Sequence, residues 1–185
     1  MKSQIKSTIV ILLAVCFLMS VTVAVVSAKE LPDIAGKKAD KPADKAEKIT
    51  EKKMKGFSID IEKATLENKN FRKVLYTSKY SQLALMSLKP GEEIGAEVHE
   101  KNDQFLRFEE GQGKCIINGN EYVVGKGSAI VVPAGARHNV INTLKTGPLK
   151  LYTIYSPPHH KDKTVHATKE EAEANPEEFD GVTTE

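Results

Sequence analysis

The chain has 185 residues, 40% hydrophobic and 28% charged, with no tryptophan and a formal net charge of +2. That length suits one domain with appendages and leaves little room for two. No segment combines strong basic charge with aromatic residues, which argues against a nucleic-acid-binding surface.

The small net charge conceals an asymmetry. Residues 29–55 carry nine lysines against six acids, residues 57–156 thirteen basic against eleven acidic, and residues 157–185 three lysines against eight acids. Only two cysteines occur, and Cys16 lies inside the N-terminal apolar run. Cys115 is therefore the sole thiol beyond that run, so the fold does not depend on an internal disulfide. Its neighbours Lys114, Ile116 and Ile117 give it the setting of a small buried hydrophobe in a strand.

Residues 1–28 read as a targeting segment. Lys2 and Lys6 form a basic start, residues 7–28 carry no charge, and Val26-Ser27-Ala28 offers small residues at a cleavage point. The apolar stretch also approaches the roughly 20 residues that span a bilayer. A cleaved signal peptide and an uncleaved N-terminal anchor both stay open. Either places the remainder outside the cytoplasm, secreted or periplasmic, with membrane contact only through a retained anchor. Residues 29–56 hold Lys, Ala, Asp, Glu and two prolines with almost nothing to bury. Such a composition cannot repay the entropy of ordering, so it reads as a disordered linker.

From Phe57 the pattern changes to short strands. Phe57, Ile59 and Ile61 alternate with polar residues as a half-buried edge strand would. Further strands are expected over 71–77, 81–88, 94–99, 104–110, 114–117, 122–124, 128–132, 138–142 and 149–155. A Lys89-Pro90-Gly91-Glu92 turn and an Asn118-Gly119 hairpin punctuate them. Short strands between Gly and Pro turns indicate an all-β sandwich or barrel over 57–156. The tail, 157–185, is expected to run out extended and acidic. Within it Thr168 could cap a short helix with Glu170 and Glu171 in its first turn.

Two stretches carry the chemistry. Residues 127–142 read G-SAIVV-P-A-G-AR-H-NVI-N, and residues 91–111 read G-EEIGA-E-V-H-EKND-Q-FLRFEE-G. Together they resemble the paired motifs of the cupin superfamily. Gly127, Pro133, Gly135, His138 and Asn142 match the second motif; Gly91, His99 and Gly111 match the first. The resemblance is nearest to the small single-domain cupins described as mannose-6-phosphate isomerase-like. It implies a jelly-roll β-barrel (double-stranded β-helix), one divalent metal ion and a homodimer.

The family's usual ligands are two histidines at i, i+2 and a glutamate from the first motif, with a last histidine from the second. Alternate residues of a strand face one side, which accounts for the i, i+2 spacing. By this resemblance Glu97 and His99 take the paired positions, Gln104 the glutamate position and His138 the last one. Two imidazoles, a carboxylate and an amide replace three imidazoles and a carboxylate, and Glu97 restores the same formal charge of −1. Nitrogen and oxygen donors without thiolate suit Mn²⁺, Fe²⁺, Zn²⁺ or Ni²⁺. Without a metal, Glu97 would be a carboxylate in an apolar pocket with a raised pKa.

If Gln104 faces inward, Leu106 and Phe108 do too, and Val140 and Asn142 follow His138. That lining is mostly apolar and contains no obvious phosphate clamp. Arg137 falls on the outer face. His159, His160 and His166 follow Pro157-Pro158 in the tail and read as exposed surface histidines.

Three functions fit: a metal-dependent isomerase, oxygenase or lyase acting on a small oxygenated molecule, a non-catalytic binder of a sugar or other small ligand, or a structural barrel with a vestigial pocket. Fold does not choose among them.

Overall fold

A computed structural model describes residues 53–185. The targeting segment and nearly all of the lysine-rich linker lie outside the described residues. The described chain forms nine strands and two short helices. In order these are α1 (Ile61–Glu67), β1 (Arg72–Thr77), β2 (Gln82–Leu88), β3 (Asp103–Glu110), β4 (Gln112–Ile117), β5 (Asn120–Gly125), β6 (Ala129–Val132), β7 (His138–Asn142), β8 (Leu149–Ser156), β9 (Val165–His166) and α2 (Lys169–Ala174). One antiparallel sheet has the order β6-β3-β8-β2-β1-β9, and the other has the order β5-β4-β7. This is the expected all-β jelly-roll barrel with a short helical C-terminal tail.

The central strands show how sequence alternation builds a barrel with two unlike ends. Along β8, Leu149, Leu151, Thr153 and Tyr155 are buried while Lys150, Tyr152 and Ile154 are only partly so. Beside it on β3, Gln104, Leu106 and Phe108 are buried and pair with Tyr155, Thr153 and Leu151. The strands run antiparallel, so apolar residues gather at one end and Gln104, Thr153 and Tyr155 at the other. Met86, Leu88, Cys115 and Val140 complete the apolar end. Burial of this kind stabilises by about 1.5–3 kcal/mol for each large apolar side chain. Cys115 is fully buried, and burial raises its pKa to about 11, so it packs as a hydrophobe.

The β4–β5 hairpin turns at Asn118 and Gly119, with φ of +48° and +84°. Both turn residues thus take the positive φ that Asn-Gly accommodates in a two-residue hairpin. Thr168 caps α2 by accepting from the Glu171 N–H at 3.3 Å.

Two expected strands are absent. Residues 57–60 are not a strand, and Ile61 opens α1, because Asp60 caps a helix by accepting from Lys63 N–H at 3.1 Å. Glu62 in the first turn also favours the helix. A three-residue alternation is too short to outweigh such a cap. Residues 94–99 likewise form no regular strand. Gly91 and Gly95, with φ of +74° and +105°, bend the segment, and isolated bridges at Glu93 and Glu97 and hydrogen bonds of Gly95 and Glu93 to the Asn139 side chain tie it to β7.

The tail does not stay extended. Asn102 Nδ2 donates to the carbonyls of Pro157 (2.5 Å) and Pro158 (3.2 Å). Gln82 on β2 receives the His160 N–H at 2.9 Å and donates to the His160 carbonyl at 2.6 Å. Further along, Phe179 N–H donates to the His159 carbonyl and Thr184 N–H to the Thr77 carbonyl, each at 2.9 Å. The segment after β8 therefore lies across the polar end of the barrel.

Candidate metal centre

Four side chains meet at that polar end. Glu97 reaches it from the bent segment and is held by a reciprocal backbone pair with His138. Glu97 N–H donates to the His138 carbonyl and His138 N–H to the Glu97 carbonyl, both at 2.9 Å. Glu97 Oε1 lies 3.2 Å from His99 Nε2 and 3.5 Å from His138 Nε2. Gln104 Oε1 lies 2.9 Å from His138 Nε2. One donor atom each of Glu97, His99 and His138 falls within a 4.8 Å group that could hold a metal ion.

The spacings fit a common ion. Donors about 2.0–2.1 Å from a metal stand about 2.9 Å apart at right angles and about 3.4 Å apart in a tetrahedron. The separations of 2.9 and 3.2 Å fall in that range, and 3.5 Å lies just beyond its tetrahedral end. Supporting contacts aim the donors. His138 Nδ1 lies 3.0 Å from the Ala136 carbonyl, to which it donates when protonated, leaving Nε2 facing inward. Gln104 Nε2 donates to Thr153 Oγ1 at 3.1 Å, which fixes the amide so that its oxygen faces the centre.

The electrostatics correct the expectation for a metal-free Glu97. Burial alone would raise its pKa, but hydrogen bonds and charge from His138 and His99 outweigh burial and hold the carboxyl well below its usual range. For His138, burial opposes the charged form, while Glu97 and the Ala136 carbonyl outweigh it and raise the pKa. The pocket is not an apolar one around a lone acid.

Three of the remaining placements agree with strand parity: Leu106 and Phe108 are buried beside Gln104, Val140 and Asn142 beside His138, and Arg137 is exposed. The histidines of the tail are different. His160 and His166 are buried, with 6% and 5% exposure, and are not surface residues. His159 is half-buried, and its ring centre stands 4.1 Å from that of His99. Tyr155 also packs on His99, edge to face at 5.6 Å. A reading of residues 157–185 by composition misses this, because the anchors are Gln82 and Asn102, far away in sequence. The available signal was Gln82 itself, an amide at an inward strand position.

Burial pushes the His159 pKa down to about 4, helped by the nearby His99 charge. His160 is pushed down to about 2 by burial, then by the Arg72 and His159 charges. Both imidazoles are thus neutral near pH 7.

A jelly-roll barrel carrying a carboxylate and imidazoles at one end defines a class of barrels whose polar end could hold a metal ion. Residues 84–155 match the family described as "Cupin domain". The "Uncharacterized protein YrkC" of Bacillus subtilis (strain 168) is 51% identical over 127 residues, 65% of this chain and 67% of that protein. "Uncharacterized protein L612" of Acanthamoeba polyphaga mimivirus is 44% identical over 107 residues, 56% of this chain and 67% of that protein. The crystal structure of BH2720 from Bacillus halodurans superposes with a TM-score of 0.64 at 44% identity, covering 65% of this chain and 96% of that one. The chain belongs to the cupin superfamily as a small single-domain member.

Proposed function

We propose that the protein binds one divalent metal ion through Glu97, His99, Gln104 and His138 and acts on a small oxygenated molecule outside the cytoplasm. The observation that carries this reading is the convergence of the Glu97 carboxylate and the His99 and His138 imidazoles within 4.8 Å. Mn²⁺, Fe²⁺, Zn²⁺ and Ni²⁺ all suit two nitrogens and two oxygens. Such an ion supplies Lewis-acid polarisation of a ligand oxygen. The chain's own part is separate. Glu97 stays ionised and supplies the site's negative charge. Ala136 and Thr153 orient His138 and Gln104 through the hydrogen bonds given above. Tyr155 and His159 shield His99 from one side, and the folded-back tail limits water at the barrel mouth.

The extracytoplasmic setting rests on the charge-free run of residues 7–28 after Lys2 and Lys6. Isomerase, oxygenase and lyase chemistry are the enzymatic forms of this proposal.

Elemental analysis of the purified protein beside Glu97→Gln and His138→Ala tests the metal. Near-stoichiometric metal in the wild type, lost in both variants, is the expected result. No metal after reconstitution with Mn, Fe, Zn and Ni sinks the proposal. Metal without turnover on a panel of sugars and keto or hydroxy acids would make the protein a ligand-binding module.

A further inference from the structure

Beside the metal centre, the sheet collects a second group of polar side chains that the proposed function does not use. Arg72 on β1 pairs in register with His166 on β9, and the turn after β8 brings His160 to the same region. Arg72 Nε, His160 Nε2 and His166 Nδ1 are buried and have no hydrogen-bond partner among the described residues. His160 and His166 are each more than nine-tenths buried. Arg72 forms no ion pair with a described carboxylate, and its guanidinium carbon stands 5.7 Å from the centre of the Phe71 ring. Unpaired buried polar atoms are rare, because each gives up its hydrogen bonds to water without replacement. Their concentration around one guanidinium marks a place built for something other than packing.

Arg72, Glu97, His159 and His160 line one cavity of about 260 Å³. At about 30 Å³ for each water-sized group, it has room for a ligand of under about ten non-hydrogen atoms. Its charges are layered. Half-buried Arg72, Lys169 and Glu97 lie inside, whereas Glu173, Glu177 and Glu178 line it from exposed positions. Two of those three acids are engaged: Glu173 pairs with Lys169 at 3.6 Å, and Glu177 accepts from Thr164 Oγ1 at 2.5 Å. Exposed charges are screened by water and salt, and a partly desolvated guanidinium is screened much less.

We infer that this cavity is a carboxylate subsite: Arg72 docks the carboxylate of a small organic acid whose other oxygens reach the Glu97–His99–His138 group. The guanidinium offers a planar fork of donors that matches a carboxylate. A single carboxylate charge suits Arg72, because Lys169, the other cation of the lining, is already paired with Glu173. Phosphate carries nearly twice that charge toward the four acids of the lining, and no glycine-rich turn lines the cavity to cradle it. The second half of this inference rests on the proposed function; docking on Arg72 does not.

The test is calorimetric titration of the full chain with malonate, its neutral diamide malonamide, and inorganic phosphate. Wild type, Arg72→Gln and Arg72→Lys are compared, each as purified and after chelator treatment, with metal content measured throughout. Malonate is expected to bind the wild type about tenfold or more tighter than malonamide or phosphate. Arg72→Gln should weaken malonate by about tenfold or more at unchanged metal content, and Arg72→Lys by less, because it keeps the charge and loses only the fork. Equal binding of malonate and malonamide by the wild type, equal malonate binding by wild type and Arg72→Gln, or tighter phosphate binding overturns the subsite. The wild-type comparison decides even if Arg72→Gln fails to fold. Malonate binding that depends on Arg72 in protein that holds no metal as purified and takes up none on reconstitution upholds the subsite and overturns the metal reading. Metal retention with no dependence on Arg72 does the reverse.

Discussion

Glu97 and His138 exchange two backbone hydrogen bonds of 2.9 Å, and the same pairing sets Glu97 Oε1 3.5 Å from His138 Nε2. Residues directly opposite in an antiparallel pair project to the same face, so one bridge places both side chains. The segment around Glu97 is otherwise irregular, which makes this bridge the fixed point of the site.

The first prediction follows from that arrangement. Glu97→Gln keeps the backbone bridge and the side-chain shape but removes the only formal negative charge among the four. Changes to residues that merely support a ligand cost about 10–100-fold in metal affinity. Glu97→Gln should therefore cost at least about 100-fold, measured by competition with a metal-sensitive chelating dye. Affinity within a factor of two of wild type would remove Glu97 from the ligand set.

Thr153 offers a subtler test, because it touches the amide and not the centre. Thr153→Val removes the acceptor of the Gln104 Nε2 hydrogen bond at nearly constant volume. The buried amide is left unpaired, which should cost about 1–3 kcal/mol of stability. Gln104 is also free to turn its oxygen away, so metal affinity should fall by about 10–100-fold. Gln104→Glu should act in the opposite sense and tighten metal binding by adding a carboxylate. A Thr153→Val protein that loses stability but keeps its metal affinity would show that Gln104 is structural only.

The barrel was legible because it rests on local rules, whereas Glu97, His99, Gln104 and His138 were named by the motif resemblance, and the structure brings them to one end of the barrel. Alternation placed Gln104, Leu106 and Phe108 inward, Asn118-Gly119 made a hairpin, and Thr168 capped α2. What was not legible depends on contacts distant in sequence. Asp60 turned an apparent edge strand into α1. Gln82 and Asn102 drew Pro157 to His160 across the barrel mouth, so histidines that look exposed by composition became buried. The Glu97 pKa changed direction for a different reason: the apolar-pocket reading weighed burial and left out the two imidazoles that stand within 3.5 Å.

The motif glycines make separable predictions. Gly91 and Gly111 both have positive φ, +74° and +87°. A Cβ added at Gly91 meets nothing within 4 Å, whereas one at Gly111 would lie 2.4 Å from the Pro148 carbonyl oxygen. Gly91→Ala should cost only the backbone preference, about 1–2 kcal/mol. Gly111→Ala adds a clash with backbone and should cost about 3 kcal/mol or more. Urea unfolding of the two variants measures the difference, and equal midpoints would contradict it.

His160 gives the pH dependence. Its folded pKa is depressed from 6.5 to about 2, first by burial and then by Arg72 and His159, with the Glu177 carbonyl and Glu97 acting weakly the other way. The unfolded chain therefore takes up a proton below pH 6.5 that the folded chain refuses. Stability rises with pH wherever the unfolded state binds more protons, so this term is at its most favourable above 6.5 and is lost as pH falls toward the folded pKa. One proton contributes a slope of at most about 1.4 kcal/mol per pH unit. His159, depressed to about 4, adds a second such contribution between its two values. His138 has the opposite sign because its pKa is raised, but comparison with a variant cancels it. The metal-free His160→Gln protein should be less stable than wild type at pH 7.5, and its stability should fall less steeply between pH 6.5 and 4.5. Urea midpoints across that range check it, and parallel curves for wild type and variant would mean that His160 is protonated in the folded protein.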